Sequence, residues 1–198
     1  MSEIRSICGI CLRLLSSLPP DGAEARWLMR WMQAEPGLFG PLPAERGAQL
    51  QVLAERTATL PHTPADDLRR LGAIALHCGL DPEQSAILDH LALRHRKGAM
   101  DLFCYALSRG IGLSPEAIIG WCCNLAEEQV WSMLAPSGRL IREGFIISDA
   151  TAPFQQDEAY ALSGLLVSLI APPYLVPKIG GISPLTRASE HGQDAWES

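Results

Sequence analysis

The chain has 198 residues, 47% of them apolar and 19% charged, and a formal net charge of −6. That balance is globular, not disordered, and the length suffices for one large core or two small ones. The negative balance excludes a sequence-wide nucleic-acid footprint, because phosphate binding needs a concentrated positive face. Lysine occurs only at Lys97 and Lys178, so arginine carries the positive charge. Met1 to Arg5 includes Glu3, and the apolar run behind it is broken by Arg13, which does not fit a signal peptide. The longest apolar run, Leu162 to Pro177, is interrupted by serine, glycine and proline and falls short of the ~18 unbroken apolar residues of a membrane span. A cytoplasmic protein with reduced thiols and no membrane partner is the expectation.

In chain order, Ser2 to Leu18 places Ile4, Ile7, Cys8, Cys11, Leu14, Leu15 and Leu18 on one helical stripe, ended by Pro19-Pro20. Asp21 and Glu24 are spaced as a capping pair for a second helix with Trp27, Leu28, Trp31 and Met32. Two tryptophans one turn apart predict either a buried face or an exposed docking face. Glu35 to Pro43 reads as a connection rich in proline and glycine. A third helix spans Ala44 to Leu60. Thr63-Pro64-Ala65-Asp66 and Asp81-Pro82-Glu83-Gln84 each read as a cap, a first-position proline and a capping partner, opening the fourth and fifth helices. The fifth ends in Arg94-His95-Arg96-Lys97-Gly98, where positive charge complements the helix end. A sixth helix spans Asp101 to Arg109, and Asp157 is placed to cap a last one from Glu158 to Ile170. Tyr174 to Ser198 reads as loop and tail, with its last dozen residues mobile.

Leu113 to Ser148 is the sharpest pattern. Ser114-Pro115-Glu116 starts a helix that Asn124 stops in a left-handed turn. A second helix follows, with Glu127 and Glu128 in its first turn and Val130, Met133 and Leu134 inward. Ala135 to Gly138 is turn chemistry, and Leu140-Ile141 with Phe145-Ile146-Ile147 predicts a strand or bent strand pair. Helix, turn, helix and small wing together make a helix-turn-helix, winged-helix-like element at 113–148. The fold class that follows is all-α: a multi-helix bundle with at most a small β-wing. Its expected parts are a helical pair (1–35), a helical domain carrying the winged element (44–170), and a loop and flexible tail (171–198).

Chemical motifs are sparse. Cys8-Gly9-Ile10-Cys11 has the spacing of a zinc or redox pair, but the chain offers no second pair, since Cys122 and Cys123 are adjacent. In a helix both thiols share a face, and buried cysteine behaves as a small hydrophobe. His77, His90 and His95 form no H-E-x-x-H or i, i+4 pair. Phosphate-loop, dinucleotide and nucleophile-elbow motifs are missing. No catalytic residue, no cofactor and no metal ligand is assigned, and the chain is not expected to be an enzyme. The candidate partner-binding residues are Arg94, Arg96, Lys97, Arg139 and Arg142 as polar contacts and Trp131 as an anchor, since tryptophan and arginine dominate interface hot spots.

Gly79-Leu80-Asp81-Pro82-Glu83-Gln84-Ser85-Ala86-Ile87-Leu88 and Leu134 to Ile146 resemble segments of the helical region that precedes the ATPase core in a group of large bacterial AAA-plus ATPases. The likeness runs from about Leu71 to Leu185. The phosphate loop and magnesium-binding acid of that family are missing here, so the resemblance implies a cut-out or free-standing recruiting part without ATPase activity. The expected function is a non-catalytic protein-interaction or adaptor domain, recruiting a partner to an AAA-plus ATPase or regulating it. The alternative is a winged-helix DNA-binding regulator. It is disfavoured because Glu127 and Glu128 stand at the start of the helix that would meet phosphates.

Overall fold

A computed structural model describes residues 2–61, 64–148 and 159–171. Within them the chain is all-α with one two-stranded ribbon. The helices are α1 (Ser2–Ser17), α2 (Ala23–Ala34), α3 (Pro36–Phe39), α4 (Arg46–Thr59), α5 (Asp66–His77), α6 (Pro82–His95), α7 (Ala99–Ile111), α8 (Pro115–Cys123), α9 (Glu127–Leu134), α10 (Arg139–Arg142) and α11 (Gly164–Ile170). The strands are β1 (Ile146–Ser148) and β2 (Tyr160–Leu162), paired antiparallel with Ile147 opposite Ala161. No helix among the described residues is long and apolar enough to cross a membrane.

Two apolar clusters fill the interior. The first joins α1, α2, α4 and α7, with Phe39 from α3 and Ile118 and Cys122 from α8. The second joins α5, α6, α9, α10, α11 and both strands, with Ile119 from α8. The N-terminal pair therefore shares a core with α4 and α7. Trp27 stacks on Trp31 at 6.1 Å, and Trp31 meets Phe39 at 5.5 Å and Phe103 at 5.0 Å, so the tryptophan stripe faces inward. Polar side chains close helix ends across the bundle. The Glu3 carboxylate accepts from Met100 N–H at 2.6 Å at the start of α7, and Arg13 donates to Trp121 O at 2.5 Å at the end of α8.

Helix ends follow the sequence signals where a side chain makes the bond. Asp81 and Gln84 form a reciprocal capping box on α6, the Ser114 hydroxyl accepts from Ala117 N–H, and Asn124 is left-handed at φ 61°. They fail where a neighbouring residue takes the boundary. Asp21 does not cap α2, which starts after Gly22 with no side-chain cap. α5 starts after Ala65, later than the Thr63-Pro64 signal, and Thr63 lies outside the described residues. The connection after Glu35 contains α3, which buries Phe39.

The wing differs from expectation. Leu140-Ile141 is helical, in α10, because Gly144 at φ 74° lets Phe145 N–H return to Leu140 O at 3.0 Å and close that turn. The strand paired with Ile146–Ser148 is Tyr160–Leu162, a segment predicted to be helix. Ser163, whose hydroxyl accepts from Leu166 N–H, is the cap that starts α11. Asp157, the expected cap, and the tail beyond Ala171 lie outside the described residues.

Candidate functional site

The exposed side of α9 is the surface that its local sequence sets up. Val130 and Leu134 anchor the helix inward. Glu127, Glu128, Gln129, Trp131 and Ser132 are left facing out, with Trp131 54% exposed. Glu127 and Glu128 lie four and three residues before Trp131, so the indole rises beside two carboxylates on one face. The helix is held at its N-terminal end. The Ser114 hydroxyl donates to Glu127 Oε1 at 2.9 Å, and Gln129 Oε1 accepts from Ala126 N–H at 2.9 Å.

The arginines and lysine singled out from sequence do not gather beside Trp131. Arg94 is buried, with Nη2 3.7 Å from Asp101 Oδ1, and Lys97 Nζ stands 3.9 Å from Asp101 Oδ2. Both line a cleft of about 300 Å³ with His95 and Asp101, walled opposite by Ile147 and Tyr160 of the ribbon. Arg96 points elsewhere and forks onto the Asp67 carboxylate near the start of α5. Arg139 is a brace between elements. Its guanidinium donates to Cys78 O at 2.6 Å and Gly79 O at 2.7 Å at the end of α5, and to Glu143 at 3.1 Å. Arg142, with its side chain 64% exposed, lies 3.4 Å from Glu143 Oε1. At the wing end the single carboxylate of Glu143 therefore faces both guanidiniums.

Tyr160 is tied to the bundle by its hydroxyl, which donates to the buried Glu116 carboxylate at 2.6 Å. Burial and that carboxylate push the phenol up.

A second grouping lies inside. His90 of α6, Cys104 of α7 and Cys122 of α8 bring their ligand atoms within 4.8 Å of one another. Cys104 Sγ is 3.9 Å from His90 Nε2, and His90 Nδ1 is buried with no hydrogen-bond partner. A hydrogen bond from the Cys122 thiol holds Cys104 well below the usual thiol range, against its burial and with help from His90 and Arg94. The same bond and burial push Cys122 well up. These three residues sit on three helices with no local motif, so spacing rules had no signal for them; only the packing of α6, α7 and α8 assembles the group. Cys8 and Cys11, the C-x-x-C of the sequence, are both in the first apolar cluster, and burial raises both thiols. His77 and His95 are exposed and stand outside this group.

Comparison with known protein families, curated proteins and solved structures finds no match to this chain.

Proposed function

We propose that the chain is a non-catalytic protein-docking module whose α9 face receives a basic, partly apolar segment of a partner protein. The observation that carries this reading is Trp131, 54% exposed on a well-anchored helix and flanked by the exposed Glu127 and Glu128. A large aromatic ring left in water beside carboxylates is an interface anchor with charge selectivity built in. The bonding of Arg139 to the Cys78 and Gly79 carbonyls and to Glu143 argues in the same direction, since it takes that cation away from a DNA backbone. The AAA-plus resemblance supplies the partner class, an ATPase recruited or regulated through this surface.

The test is affinity capture from nuclease-treated native lysate with the wild-type chain and with Trp131→Ala, read by mass spectrometry. A defined protein held by the wild type and lost from Trp131→Ala is expected, with salt weakening it less steeply than it would a nucleic-acid complex. Recovery of nucleic acid alone, or of the same proteins by both chains, overturns the proposal.

A further inference from the structure

We propose that His90, Cys104 and Cys122 form a buried binding site for a thiophilic cation of the zinc class, placed where the two apolar clusters meet. The site rests on geometry first. In a tetrahedral zinc centre, bonds of about 2.3 Å to sulfur and 2.0–2.1 Å to nitrogen separate sulfur from nitrogen by about 3.6 Å and sulfur from sulfur by about 3.8 Å. The Cys104–His90 separation is 3.9 Å, and all three ligand atoms fall within 4.8 Å of one another. Side-chain adjustment of a few tenths of an ångström brings this pair to ligand spacing. Thiolate and imidazole together select soft or borderline ions over magnesium or calcium.

His90 supplies an independent observation. The residue is 4% exposed, its Nδ1 has no hydrogen-bond partner, and its Nε2 meets a sulfur at 3.9 Å. Buried cysteines alone are ordinary core residues. A buried imidazole left with a long thiol contact is not, because buried polar groups are normally satisfied. A metal at this position gives Nε2, the ring nitrogen that faces Cys104, a strong partner. Cys123 is turned to another partner, its Sγ donating to Ala86 O at 3.4 Å.

The site's place in the fold gives it a consequence. α6 and α8 each contribute side chains to both apolar clusters, whereas α7 belongs to the first. A cation joining the three helices pins the seam between the clusters.

The experiment is titration of the reduced, chelator-stripped full chain with Co²⁺, followed by competition with Zn²⁺. One equivalent of Co²⁺ with a thiolate-to-metal charge-transfer band and tetrahedral d–d bands, displaced by Zn²⁺, is expected. His90→Gln and Cys104→Ser should weaken binding by at least about a hundredfold, beyond the range seen for outer-shell changes, while Cys78→Ser, outside the cluster, leaves it unchanged. Far-UV circular dichroism checks that the variants retain helix. The wild-type titration stands without them: absence of a thiolate–cobalt band overturns the proposal, as does a band unchanged in folded His90→Gln and Cys104→Ser.

Discussion

Replacing Gly138 by alanine adds one methyl group where the backbone leaves no room for it. A Cβ there would lie 2.3 Å from Met133 O, 2.8 Å from Met133 C and 2.9 Å from Ala135 O. The glycine is not needed for its dihedral angles, which are ordinary at φ −64° and ψ 147°. It is needed because α9 ends by folding its own carbonyls against the start of α10. The obstructing atoms are backbone and cannot rotate away. The turn must open, and the Gly138 N–H to Ala135 O bond of 2.7 Å is strained or lost with it. Overpacking of this kind costs about 1–3 kcal/mol, and the hydrogen bond adds about 0.5–1.5 kcal/mol. At about 2–4 °C per kcal/mol for a chain of this size, Gly138→Ala should melt several degrees below the wild type.

The same atom added at Gly72 should act in the opposite direction. Gly72 lies inside α5, and nothing beyond its chain neighbours and the helix's own nearby backbone comes within 4 Å of its would-be Cβ. There alanine gains helix propensity of up to about 1 kcal/mol and should raise the melting temperature by about 2–4 °C. Thermal unfolding followed by far-UV circular dichroism, on wild type and both variants in parallel, separates the cases. Gly138→Ala melting level with or above the wild type would refute the close approach of α10 to α9, and with it the account of how α9 is held.

The other predictions concern side chains whose roles in sequence and structure diverge. Trp131→Ala should change stability by no more than about 0.5 kcal/mol, as expected for an exposed site, while abolishing partner capture; a large loss of stability on urea unfolding would make Trp131 a core residue instead. Arg139→Ala should destabilise by about 1.5–3 kcal/mol, because it removes charged hydrogen bonds from the Cys78 and Gly79 carbonyls, and unfolding midpoints measure it. Tyr160→Phe leaves the buried Glu116 carboxylate without its 2.6 Å hydrogen bond and should cost about 1–3 kcal/mol, read the same way.

The parts of the fold legible in sequence are those fixed within one turn of chain. Asp81 with Gln84, Ser114 with Ala117 and Asn124 each satisfy neighbouring backbone groups, so their residue types announce the boundary. The wing was misread because its pairing is not local. Tyr160–Leu162 is three residues long, and only its match to Ile146–Ser148 across an intervening segment makes it a strand. Arg139 reads as a surface cation in sequence because the carbonyls it caps belong to α5, some sixty positions earlier. His90, Cys104 and Cys122 fail for the same reason. Each stands on its own helix outside any local motif, and the grouping exists only where three helices meet.

The two proposed sites are joined through α8. Cys122 occupies its last turn, and Arg13 from α1 holds that end by donating to Trp121 O and Cys122 O. At its other end, Ser114 caps the helix and reaches Glu127 on α9. Between them Gly120 lies so close to Leu125 that a Cβ would stand 2.8 Å from Leu125 O, while Leu125 N–H bonds Gly120 O at 2.9 Å. α8 and α9 therefore move as one corner. A cation on Cys122 would restrain the helix from which the Trp131 face is hung, lowering the entropy lost when a partner docks. Under the two proposals the buried cluster would act on the surface by making it rigid, without contributing any contact to the partner.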